Sequence, residues 1–180
     1  MRVWKLGCDV NHYENLIWAD SEYDISFIQS FNGTSKEKEW APIELKCMYS
    51  NREFSNTPGL SAHIPVFDKK AVDILKNYLR GSAEILPIIC ENTEFYAINV
   101  TNVVDCIDYE TSEYRTFRDG KRIMRFIKYA FDEKKVENIH IFKIKDEPLR
   151  SPFVSDEFRK KILESNLTGF EFEMVWDSNE

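Results

Sequence analysis

Cys8 and His12 stand four residues apart, the only pair in the chain spaced like half of a metal site. Zinc requires three or four ligands. No second pair stands at such a spacing, so His63 and His140 would have to converge from distant parts of the chain. A Cys/His nucleophilic centre needs the same convergence, because nucleophile and base must meet in space. The four cysteines (Cys8, Cys47, Cys90 and Cys106) lie far apart, with no CxxC pair, no nucleophile elbow and no basic surroundings that would favour a thiolate. His140 sits inside the apolar run IHIFKI and reads as a core histidine. The carboxylates Asp105, Asp108, Glu110 and Glu113 form a cluster. Such a cluster can divide acid and base work if one member is buried; otherwise it is a solvated edge or an acidic patch facing a partner. Close behind comes the basic run Arg115, Arg118, Lys121, Arg122, Arg125 and Lys128, interleaved with Tyr114, Phe117 and Phe126. That pattern fits a solvated face, or phosphate and single-stranded nucleic acid. The few glycines are scattered and form no phosphate-cradling loop. No catalytic, cofactor-binding or metal-binding set is complete.

The elements that would position these residues are clearest near the end. Residues 139–144 alternate with both faces largely apolar, as in a strand buried on both sides. Pro148 and Pro152 break the pairing. Ser155, followed by Asp156 and Glu157, reads as the N-cap of a helix over 155–166. Its predicted buried stripe is Phe158, Ile162 and Leu163, with Arg159, Lys160 and Lys161 in water, and Asn166 or Gly169 stops it. Phe170, Phe172, Met174 and Trp176 then fall on one face of a closing strand.

Earlier, Val3, Trp4 and Leu6 give a short opening strand, residues 11–22 a loop, and the alternation over 23–31 another strand. Residues 43–49 are a further strand, and 50–61 a long irregular connection that is either functional or mobile. Residues 68–80 form the best helix: Asp68 caps it, Ala71, Val72, Leu75, Tyr78 and Leu79 recur at helical spacing, and Gly81 ends it. Residues 84–90 and 94–100 make strands about a turn, and 103–109 a third. Residues 111–120 are polar and exposed. The segment 121–131 has a helical period, but its β-branched and aromatic content and the short link to 139–144 favour a strand in a hairpin with that segment. The expected fold is α+β: a mostly antiparallel or mixed sheet with two main helices packed on it.

The chain has 180 residues, enough for a single domain over 1–180 with a core that needs no disulfide or metal. Its formal charge of −7 argues against a general nucleic-acid or anionic-membrane binder and suits a basic protein partner. No apolar run reaches spanning length, and the N-terminal residues lack the apolar core of a signal peptide. Together with the unpaired cysteines this gives a cytoplasmic expectation.

Several short motifs carry a resemblance. They are Val3-Trp4-Lys5-Leu6, the helix before Ile85-Leu86-Pro87, Tyr96-Ala97-Ile98-Asn99-Val100 and Val104-Asp105-Cys106-Ile107-Asp108. The end of the chain adds Ile141-Phe142-Lys143-Ile144, Phe153-Val154-Ser155-Asp156, Leu167-Thr168-Gly169-Phe170-Glu171-Phe172 and Val175-Trp176. This pattern resembles a bacterial immunity-protein family of polymorphic toxin systems. The resemblance implies a non-enzymatic protein that binds and neutralises a cognate protein toxin, with no cofactor and no membrane. The acidic balance would suit a basic, nuclease-like toxin, met at Asp105, Asp108, Glu110 and Glu113 and at the 50–61 loop. Two rivals stand beside it: a small enzyme with a Cys/His or carboxylate pair in a polar pocket, and a nucleic-acid module using the Arg115 to Lys128 run.

Overall fold

The computed structural model describes residues 1–19, 25–49, 51–91 and 93–179. It is α+β, but with two five-stranded sheets and a separate ribbon in place of one sheet. In the first sheet β1 (Arg2–Cys8) lies between β12 (Phe170–Asp177) and β11 (Phe153–Ser155), antiparallel to both. Next comes β10 (Ile141–Ile144), antiparallel to β11, and β7 (Val103–Val104) adds in parallel at the edge. In the second sheet the order is β2 (Leu16–Trp18), β3 (Ile43–Cys47), β5 (Ala83–Cys90), β6 (Thr93–Val100) and β4 (Val66–Asp68). Only β3 and β5 run parallel there. The ribbon pairs β8 (Glu113–Thr116) with β9 (Ile123–Lys128).

Strand alternation sorts the side chains into three cores. Ile98 and Val100 of β6, Leu6 of β1, Ile141 of β10 and Val154 of β11 share one cluster with the apolar stripes of α2 (Lys69–Leu79) and α4 (Asp156–Glu164). Phe95 and Ala97 of β6 and Leu86, Ile88 and Cys90 of β5 point the other way, into a second cluster capped by Ile28 and Phe31. Val3, Phe142, Ile144 and Phe153 leave the first sheet on its far side, into a third cluster with Phe126, Phe131 and Trp176. The middle cluster thus draws on both sheets and both ends of the chain.

The two long helices stand where their caps put them. Asp68 accepts from the Ala71 amide at 2.8 Å and Ser155 from the Phe158 amide at 3.2 Å, satisfying amides that the helix itself cannot. Gly81 at φ +73° ends the first chain reversal, and Asn166 (+51°) and Gly169 (+81°) the second.

Several expectations are corrected. Within 23–31, Tyr23 and Asp24 lie outside the described residues, and the rest is not a strand but the helix α1 (Ile25–Gln29). Phe27, Ile28 and Phe31 all reach the second core, a helical spacing that a strand would have split between two faces. Val103 and Val104 form the short strand of the 103–109 segment and Ile107 makes a single antiparallel bridge to Phe131, while consecutive Cys106 and Ile107 are both buried. Residues 121–131 do contain a strand, but its partner is β8, and the short helix α3 (Glu133–Val136) separates it from β10. The signal for that hairpin was Asp119-Gly120: Asp119 accepts from the Lys121 and Arg122 amides and Gly120 takes φ +66°. The closing strand does not keep one face. A β-bulge opposite Val3 and Trp4 shifts its phase, so Phe170 and Phe172 join the middle core while Val175 and Trp176 join the third. Leu163 is exposed, and the Arg159 guanidinium lies 4.2 Å from the Trp4 ring centre instead of in water. Of the 50–61 connection Ser50 lies outside the described residues, and 51–61 are irregular but tied down: Asn56 donates to Asp68 at 2.7 Å and accepts from the Thr168 amide at 2.8 Å.

Candidate partner-binding surface

The four predicted carboxylates occupy one stretch of surface without forming an acid/base pair. Asp105 follows β7 and meets the Lys145 ammonium at 3.0 Å. Asp108 builds a turn, accepting from the Thr111 hydroxyl at 2.7 Å and the Glu110 amide at 3.0 Å. Those bonds, the Thr111 one first, hold its carboxyl below the usual carboxylate range. Glu113 stands opposite Lys128 on the ribbon, and Glu110 is exposed. A general acid needs a carboxyl buried enough to keep its proton. Three of these are exposed, and the half-buried Asp108 is pushed toward its ionised form.

The ribbon beside them is built unusually. Its rungs are Glu113 with Lys128, Tyr114 with Phe126, Arg115 with Arg125, and Thr116 with Ile123. The register slips twice, leaving Ile127 and Met124 as the extra residues of two β-bulges on β9. Alternate rungs face opposite ways. Phe126 and Ile123 turn inward against the third core, and the exposed Tyr114 leans on the Phe126 ring. Arg115, Arg125, Glu113 and Lys128 turn out and are exposed. Met124 and Ile127 are 45% and 57% exposed.

The other chemistry-bearing residues are dispersed. His12 bonds Asp9, its Nδ1 2.8 Å from Oδ2, and not Cys8. His63 is held between the Ser61 hydroxyl and the Ile28 carbonyl, both at 3.0 Å, and burial pushes its imidazole toward the neutral form. His140 meets the Ser155 hydroxyl at 3.1 Å and packs on the Tyr78 ring, as a structural histidine does. Burial drives the Cys8 and Cys90 thiols up to about 11 and Cys106 to about 12, so all three are protonated near neutrality and poor nucleophiles. Among the described residues no group of three or more His, Cys, Asp or Glu could hold a metal ion. A cleft of about 570 Å³ opens where β1 meets β2 and the loop before β4; Leu6, Leu16, Met48, Leu60 and Val66 make it mainly apolar. Asn15 lines it with a buried side-chain oxygen, Oδ1, that has no hydrogen-bond partner among the described residues. Sequence reasoning missed this cleft because its walls come from separate short elements.

The surface that gathers charge is thus the stretch from Asp105 to Lys128. Residues 90–177 match the family model of the immunity protein family Imm11. This bears out the resemblance to an immunity-protein family, over a narrower span: Val3 to Leu6 and Ile85 to Pro87 lie outside the match. A comparison with curated proteins returns no match. The Imm11 segment contains all four carboxylates, the whole ribbon and His140, but neither Cys8 nor His12 and little of the cleft. An immunity family points to a toxin-directed, non-catalytic role. None of the described helices is long and apolar enough to cross a membrane.

Proposed function

We propose that this chain is an immunity protein that binds a cognate polymorphic toxin and neutralises it by protein–protein contact, without catalysis, in the cytoplasm of the producing cell. The single observation that carries the reading is the Imm11 match over residues 90–177. The whole chain of 180 residues acts as one domain in this reading, which the middle core supports by joining α2 to β10, β11 and α4.

The acidic stretch is the proposed site of first contact with a basic, nuclease-like toxin. Asp105 is already paired and Asp108 is committed to its turn, so Glu110 and Glu113 carry most of what remains for a partner. Exposed charges act chiefly on the association rate. The pair Glu110→Lys with Glu113→Lys should therefore slow association and flatten its salt dependence. Unchanged association kinetics would remove the patch from the reading.

The decisive experiment is co-expression with the product of the adjacent gene. The two proteins should co-purify, and this chain should restore growth to cells making that product. Neither co-purification nor rescue would overturn the immunity reading.

A further inference from the structure

The ribbon's outer face cannot be explained as a contribution to folding. Arg115 and Arg125 stand directly opposite each other, an arrangement that destabilises a strand pair. Among the described residues neither has an ion-pair partner, nor does Lys128. From Glu113 to Lys128 six cations stand against two carboxylates, a net charge of +4 in a chain of −7.

Protection of a free strand edge accounts for cations and bulges. It does not account for what the bulges hold. Both extra residues are large and apolar, Met124 and Ile127, and both are pushed out into solvent on a strand whose other apolar residues turn inward. A two-stranded ribbon is marginal alone, and this one is anchored through Phe126 and Ile123. The anchoring leaves the opposite face free and held in shape.

We propose that the outer face of the β8–β9 ribbon docks a protein surface on which carboxylates surround an apolar depression, with Met124 and Ile127 seated in the depression and Arg115, Arg125 and Lys128 paired to the carboxylates. This deepens the immunity reading and rests on it, the surface being one on the toxin. Nucleic acid fits the face less well. Binding to single strands relies on aromatic rings as stacking platforms. Here Tyr114 is packed between Tyr109 and Phe126, and Phe117 lies under the Arg122 guanidinium at 5.1 Å. Tyr114 and Phe117 are still 39% and 43% exposed, but one is held edge-on by Tyr109 and the other is covered by a cation. The more exposed Ile127 and Met124, a β-branched aliphatic and a thioether, are suited to a protein pocket and do not stack on bases.

The test is binding of the full chain to the purified product of the adjacent gene, followed by biolayer interferometry and growth rescue. Three double variants are compared with wild type: Arg115→Glu with Arg125→Glu, Met124→Ser with Ile127→Ser, and the charge-matched control Lys76→Glu with Lys160→Glu on exposed helix faces. All carry surface changes, and their thermal melts should match wild type. The ribbon reversal should weaken binding by about 100-fold and the apolar pair by about 10-fold or more, as truncation at an interface centre does; the control should change it less than about 3-fold. Toxin binding by wild type with both ribbon variants unaffected overturns this inference and leaves the immunity reading standing. No binding by wild type overturns both. Salt-sensitive binding of a single-stranded oligonucleotide, lost in the arginine reversal while toxin binding persists, also overturns it in favour of nucleic acid.

Discussion

Replacing Lys143 by methionine should remove a pH dependence that only a buried ammonium can produce. Lys143 lies in β10 between Phe142 and Ile144 and is 1% exposed. Its ammonium donates to the Phe31 carbonyl, just past the C-terminal end of α1, where cations are favoured. The imidazole of His63 is its charged-group neighbour, and the two repel when both are protonated. Burial pulls the Lys143 pKa from an ordinary 10.5 to about 8. Below pH 8 the group is charged folded and unfolded, and its desolvation counts fully against the fold. Between pH 8 and 10.5 the folded chain has released the proton and the unfolded chain still binds it, so stability rises with pH across that window. The interval is worth about 3 kcal/mol. At neutral pH the methionine variant sheds that penalty but leaves the Phe31 carbonyl without its donor, at a cost of about 1–3 kcal/mol. The two proteins should therefore be of similar stability at pH 7, with wild type the more stable by about 3 kcal/mol at pH 10.5. Urea unfolding of both proteins at intervals from pH 7 to 10.5 measures this. Tyr109, Tyr129 and the cysteines titrate in the same range once the chain is unfolded, but they are common to both chains and drop out of the difference. His63 is already neutral there. A difference that stays flat with pH would refute the argument.

Gly169 should tolerate no side chain, because an added Cβ would overlap the Ser55 side chain at a backbone of φ +81°. Gly169→Ala should cost about 3 kcal/mol or more in thermal or urea unfolding, against about 1 kcal/mol for Gly81→Ala, which has a similar φ of +73° and open space around it. The isolated segment 90–177 should not fold cooperatively, because it lacks β1, which lies between β12 and β11, and β5, which pairs with all of β6. A sharp thermal transition and dispersed amide spectra from that fragment would contradict the topology.

Where the sequence was legible, the determinant was local. The caps Asp68 and Ser155, the stripe Ala71–Val72–Leu75–Leu79 and the strands β5 and β6 lie within a dozen residues each and were read correctly. The strands β2, β4 and β11 have three residues each, too few for a period, and exist because distant strands supply their partners. The face reversal in β12 is likewise decided by a bulge against β1, some 170 positions away. Lys143 has no sequence signal for burial: a lysine among isoleucine and phenylalanine reads as the polar face of a strand until Phe31 is seen above it. The candidate site divides in the same way. The acidic and basic runs were plain as composition. Their meaning turned on register, which puts Phe126 inside and Arg125 outside, and on two bulges that alternation could not reveal.

The charge distribution reconciles an acidic protein with the proposed basic docking face. Outside the ribbon the chain carries −11, the overall −7 less the ribbon's +4. Such a field draws a cationic partner from a distance, but at physiological salt it is screened within about 8 Å. In the immunity reading the local charge governs at contact, where Arg115, Arg125 and Lys128 would select carboxylates and Glu110 and Glu113, at the ribbon's base, would select cations. A partner satisfying both must carry the two signs side by side on one surface and in the right order. A folded protein meets that requirement better than a uniformly charged polymer such as nucleic acid does. In the immunity reading this ordered pairing of opposite charges, around the apolar contacts of Met124 and Ile127, is what would tell one toxin from another.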